Sequence, residues 1–162
     1  MVAEALRRDW KLVGGDWAGW DLQHRTRGAR IEVKQAAARQ TWTGRPTASG
    51  KLGPSKGVFS VRPAKGYFTE GGVAWVPIPG RSADLYIFAW HPVADSLRVD
   101  HRDPEQWEFY VVPEHRLPAE TRTITLRRLQ RLARPVGYAE LPGAVDAALA
   151  GLERLKIDIQ VP

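Results

Sequence analysis

The sequence predicts an α/β protein, a central mixed sheet flanked by helices, and three observations carry that prediction. Residues 83–91 and 106–112 are dense in aromatic and β-branched side chains and read as core strands. Residues 20–25 and 30–35 read as two more strands, with Arg27-Gly28 as a two-residue hairpin turn between them. Beyond residue 123 the apolar period lengthens to that of a helix, with Leu126, Leu129 and Leu132 on one stripe.

Taken in order, residues 3–13 read as a first helix with Ala5, Leu6, Trp10 and Val13 inward, ended by Gly14-Gly15. The Ala-rich stretch 35–41 reads as a brief helix. Residues 43–80 hold most of the Gly-Pro-Ser-Lys character and read as a long basic loop, interrupted by short strands near 58–61 and 73–76. Thr123 or Thr125 is the expected cap of the Leu126 helix. A last helix is expected over 142–156, with Val145, Leu149, Leu152 and Leu155 inward, and a final edge strand over 157–161. No repeat and no second compositional regime divides the chain, so 1–162 is read as one domain with a basic insertion at about 43–80.

The composition excludes several chemistries. There is no Cys among the 162 residues, hence no disulfide, thiol nucleophile or cysteine-ligated zinc. No apolar run reaches membrane-spanning length and residues 1–10 lack the pattern of a leader, so a cytoplasmic protein with no membrane contact is expected. Walker-type phosphate loops, nucleophile elbows and dinucleotide fingerprints are missing, which removes NTP-driven and hydride chemistry. His91, His101 and His115 lack metal-ligand spacing and are read as surface or loop residues. Of the seven Trp, Trp90 and Trp107 are read as core or dimer-interface residues, whereas Trp42 is placed to stack on a base. Asp84 reads as a turn or cap residue.

The net charge of +6 is clustered. Residues 43–81 carry six Lys/Arg against Glu70, and residues 115–134 carry six Arg against Glu120, each +5. Residues 82–114 hold seven acids and two Arg. Clustering of this kind resembles a polyanion footprint, with solvated basic faces as the plain alternative.

The chemistry concentrates in Asp21 and in Arg30-Ile31-Glu32-Val33-Lys34-Gln35. On a strand, Glu32 and Lys34 share a face while Ile31 and Val33 take the other. With a two-residue turn, paired positions sum to 55, placing Asp21 opposite Lys34 and Glu32 opposite Gln23. Two carboxylates with an open side suit Mg²⁺ or Mn²⁺, and a lysine beside them suits orienting a water or offsetting phosphate charge. The plain alternative is a cross-strand Asp21–Lys34 salt bridge.

Asp21 followed by Glu32-Val33-Lys34 resembles the core motif of the PD-(D/E)XK nucleases, the restriction-endonuclease-like superfamily, in the manner of small uncharacterised bacterial members. Segments around Gln40-Thr41-Trp42, Arg81 to Phe88, Gln106 to Pro113 and Thr125 to Leu129 are similar to those members too, so the likeness covers most of the chain. Trp20 stands where the pattern has Pro. The resemblance implies an αβββαβ core and a Mg²⁺-dependent endo- or exonuclease acting on nucleic acid, DNA first. Asp21, Glu32 and the Val33 carbonyl would bind the metal, and Lys34 would position the attacking water. Glu4 matches an additional acid of some members, or pairs with Arg7 or Arg8; Gln40 falls where several branches place a Gln near the substrate, or is plain surface. Arg45, Lys51, Lys56, Arg62, Lys65, Arg127, Arg128 and Arg131 are the expected phosphate contacts. A catalytically inactive nucleic-acid-binding module of the same fold is the alternative, an interaction domain docking through 82–114 a third, and a homodimer is an open expectation.

Overall fold

The computed structural model describes residues 1–13, 19–39, 54–68 and 73–160, with side chains left aside at 78, 79 and 156–160. A five-stranded mixed sheet of order β1-β2-β3-β7-β8 forms its centre. It comprises β1 (Trp10–Leu12), β2 (Leu22–His24), β3 (Arg30–Ala37), β7 (Leu85–His91) and β8 (Glu108–Pro113). Strands β1, β2 and β3 form an antiparallel meander, β7 runs parallel to β3, and β8 returns antiparallel. The class is therefore α/β with a mixed sheet, as the aromatic strand pattern predicts.

Strand β7 explains why its sequence is almost wholly apolar: every residue of it is buried. Leu85, Ile87 and Ala89 enter a core with Ile31, Leu22, Trp10, Leu6 and Phe109, covered by α1 (Val2–Ala5) and by Leu141, Val145 and Leu149 of α3 (Leu141–Gln160). Tyr86, Phe88 and Trp90 enter a second core on the other face with Tyr110, Val112, Phe59, Ile124 and Leu129. That face is covered by an antiparallel ribbon of β4 (Val58–Ser60) and β9 (Thr123–Thr125), with the one-turn helix α2 (Leu126–Leu129) following β9. Thr125 caps α2, its Oγ1 accepting the Arg128 N–H at 3.3 Å. A second ribbon pairs β5 (Ala64–Phe68) with β6 (Trp75–Gly80).

Several expectations are corrected. The first helix ends at Ala5, and Trp10–Leu12 is a strand. Cross-strand packing outweighs the helical period there, because Trp10 is buried edge-on against His24 at 5.0 Å. Residues 35–37 continue β3 instead of starting a helix, since pairing with β7 extends to Ala37↔His91. Among the described residues of the stretch expected to be loop, 58–60, 64–68 and 75–80 are strand. No edge strand occupies 157–160: with no Pro after Pro142 until Pro162, α3 runs on to Gln160. His91 is fully buried, not a surface residue, packed against His101 (4.6 Å) and Trp107 (5.0 Å). No helix among the described residues is long and apolar enough to cross a membrane.

Candidate metal centre and its basic surround

The β2–β3 hairpin sets the geometry. Its turn has four residues, 25–28, because the His24 Nδ1 accepts the N–H groups of Thr26 and Arg27, and the His24 N–H reaches the Ala29 carbonyl at 2.8 Å. Gly28 closes the turn at φ +70°, where a side chain would strain the backbone. The register is accordingly Leu22↔Ile31 and Gln23↔Arg30, two short of the expected pairing. This correction matters chemically. Asp21, just before β2, donates its N–H to the Ile31 carbonyl at 2.9 Å, so it meets β3 between Ile31 and Val33 and not at Lys34.

Asp21 sits just before β2, and its carboxylate takes a place in the ladder: Oδ2 accepts the Val33 N–H at 2.7 Å. In a strand the N–H and C=O of one residue share a side, so the Val33 carbonyl also faces the Asp21 flank. The expected Asp21–Lys34 salt bridge is replaced by one within β3, where the Lys34 ammonium donates to Glu32 Oε1. The Glu32 side chain is only 19% exposed. Burial pushes its carboxyl above the usual range; the Lys34 bond and charge pull it back, and the Asp21 charge pushes it up again. Two carboxylates thus feel each other across adjacent strands.

Glu32 and Lys34 line a small cleft with Ser60, Arg62, Ser82 and Tyr86. Tyr86 is paired with Glu32 across the parallel ladder, and burial, then the Glu32 charge, hold its phenol well above its ordinary pKa. Arg81 walls the cleft and is spoken for. Its side chain is 2% exposed and donates to the Val61 carbonyl (2.7 Å), Glu114 (3.1 Å) and the carbonyls of Pro118 (2.8 Å) and Thr121 (3.1 Å). Asp84 acts as a link between strands: its Oδ2 accepts the Arg30 N–H at 2.9 Å, and its carbonyl accepts the Glu114 N–H. Asp21 and Val33 instead border a cleft of about 300 Å³ on the α1 side, with Leu12, Leu22, Gln35 and Trp107. Asp21 and Glu32 therefore border clefts on opposite faces of the sheet, and only Glu32 shares its cleft with Lys34.

The ribbon brings the two basic stretches together. Val58↔Thr125 and Ser60↔Thr123 are paired, the Val61 N–H reaches the Arg122 carbonyl (2.9 Å) and the Leu126 N–H reaches the Gly57 carbonyl (2.9 Å). Gly57 is required at that crossing: its φ is +69°, and a Cβ would lie 2.9 Å from Leu126 Cβ. Lys56 and Arg62 are thereby placed beside the segment that carries Arg127 and Arg128, on the face that bears Glu32 and Lys34. Lys56, Arg62, Lys65, Arg127, Arg128 and Arg131 are all exposed. Gln40, Trp42, Arg45 and Lys51 lie outside the described residues. Glu4 is turned to solvent in a 3.2 Å pair with Arg7.

Sequence reasoning missed the roles of Arg81 and Tyr86 in the cleft. The Glu32↔Tyr86 register spans more than fifty residues and leaves no local pattern to read. Among the described residues no group of three or more His, Cys, Asp and Glu gathers as a metal cage. Two carboxylates and a backbone carbonyl are all-oxygen donors, which suit a hard cation that keeps several waters. No protein-family model, curated protein or solved structure matches the chain.

Proposed function

We propose that the protein is a divalent-metal-dependent nuclease that hydrolyses phosphodiester bonds in DNA. One observation carries this reading: Glu32 and Lys34 share a cleft with Arg62 beside the β4–β9 ribbon, and the charge of Asp21 acts on Glu32 from the segment that leads into β2. The meander β1–β2–β3 followed by a parallel β7 supports a restriction-endonuclease-like core. Asp21, Glu32 and the Val33 carbonyl would hold Mg²⁺ or Mn²⁺, which supplies Lewis-acid polarisation of the phosphate and a more acidic water. Lys34 offers its protons to that water or to charge gathering on the phosphate oxygens. Arg62 and Lys56, with Arg127 and Arg128, hold the flanking phosphates and so place the scissile bond without reading sequence.

The Lys34–Glu32 ion pair favours a second reading, a nucleic-acid-binding module that does not cut, because the ammonium already occupies one carboxylate oxygen. Incubating the protein with plasmid, linear, single-stranded and branched DNA in Mg²⁺, Mn²⁺ or EDTA separates the two. Cutting that needs metal and disappears in Lys34→Ala is the expected result. Salt-sensitive binding without cutting, unchanged by Lys34→Ala, establishes the binding module instead.

A further inference from the structure

The β5–β6 ribbon carries an aromatic surface that the metal centre does not use. Phe68 and Trp75 are register partners with rings edge to face at 5.0 Å, and Trp75 is 49% exposed. The indole is held in place. It rests across Gly66, where a Cβ would come 2.5 Å from Trp75 Cζ2 and collide with the Val76 carbonyl. Val73 beside it is 85% exposed. A half-bare tryptophan fixed before any ligand arrives is a pre-organised stacking surface, because little side-chain freedom is lost when something lies on it.

Its surroundings select the ligand. Arg62 and Lys65 are exposed at the root of the ribbon, and residues 54–81 carry four Lys/Arg against Glu70 alone. Cations beside an exposed indole fit a polyanion that also offers flat apolar faces. The bases of a duplex hide those faces in the stack, whereas a single strand presents them. The ribbon is also rooted at the candidate centre. Ala64 lines the cleft of Glu32 and Lys34, and Tyr67 packs edge-on against Trp20 at 5.0 Å, under whose ring Arg30 sits 3.8 Å away. Four steps along the strand, about 13 Å, lead from Ala64 to Phe68.

We propose that Trp75, backed by Gly66 and Phe68, is a stacking platform for unpaired bases of a single-stranded nucleic acid leading into the Glu32–Lys34 cleft. The placement of the strand relative to the cleft rests on the nuclease reading; the stacking itself does not.

The test is therefore a binding titration in EDTA, where no metal-dependent cutting intervenes, with fluorescein-labelled oligothymidine, the same length of abasic oligonucleotide, and a blunt duplex. The protein binds oligothymidine more tightly than the abasic strand, and Trp75→Ala weakens oligothymidine binding roughly tenfold or more, as loss of a stacked base does. Trp75→Phe keeps most of the affinity, and the abasic strand binds both Trp75 variants and the parent alike. Indole emission is quenched on adding unlabelled oligothymidine, and the quench shrinks in Trp75→Phe, which still folds if the ribbon tolerates a ring there. Equal loss on the abasic strand, no loss with Trp75→Ala, or a Trp75-dependent self-association with unchanged oligonucleotide binding would each overturn the proposal. Binding that behaves as expected while DNA stays uncut in Mg²⁺ leaves the platform standing and removes only the nuclease.

Discussion

The two faces of β3 are built on opposite principles. On one, Ile31 and Val33 lie with Leu85, Ile87 and Ala89 beneath α1 and α3, hydrocarbon against hydrocarbon. On the other, Arg30, Glu32 and Lys34 run beside Tyr86, with Arg30 over Trp20 and Glu32 largely buried against an ammonium. Apolar residues at these positions would serve folding at least as well, since partly buried ion pairs recover little more than their desolvation. The first face is thus apolar along this part of β3, whereas the second sets paired charges beside the aromatic core of Tyr86 and Phe88, where they add little to stability.

The largest expected effect tests that division directly. Ile31 is fully buried, so Ile31→Ala should lower unfolding free energy by about 2–5 kcal/mol, whereas Lys34→Ala should cost about 1 kcal/mol or less. Urea denaturation of both variants checks this, and equal losses would break the comparison. A smaller effect concerns the bond between Asp21 and β3. Asp21→Ala leaves the Val33 N–H without its acceptor and should cost about 1–3 kcal/mol; Asp21→Asn keeps an acceptor oxygen and should cost less while abolishing metal-dependent cutting. Thermal melts beside a cleavage assay read out both.

The third effect is a slope. Glu32 has its pKa raised in the folded chain, above the ordinary 4.5, chiefly by burial. The folded state then binds that proton more tightly than the unfolded state, so the stabilisation is complete at low pH. It is lost as pH rises from about 4.5 through the raised value. Melting temperature followed against pH should show this decline in the parent and a flatter profile in Glu32→Gln. A cation bound by ionised Glu32 works in the opposite sense, so the thermal shift given by Mg²⁺ should grow over the same rise in pH.

Much of the central sheet was legible. Strands β3, β7 and β8 announce themselves because burial on one or both faces leaves a period or an apolar run within a few residues. Thr125 as cap and Leu129 as a core residue follow from the same local logic. The first helix misled because Leu6 and Trp10 have helical spacing and are both buried, yet reach the core from the turn that follows a short helix and from a strand. The hairpin register misled because Arg27-Gly28 resembles a tight turn, and only the His24 ring reveals the longer one. Arg81, counted as one more surface cation, proved to be a clamp for carbonyls more than thirty residues away.

By itself the sequence determined that Glu32 and Lys34 share a face, that Ile31 and Val33 oppose them, and that positive charge gathers in two separate stretches. Strand alternation and composition are local properties, and no folding is needed to read them. The tertiary structure alone decided that Asp21 bonds to Ile31 and Val33 of β3, that the two basic stretches lie side by side on a ribbon, and that Trp75 rests half-bare on Gly66. Each of these depends on which distant segments pair and in what register, and pairing is settled by the packing of the whole chain.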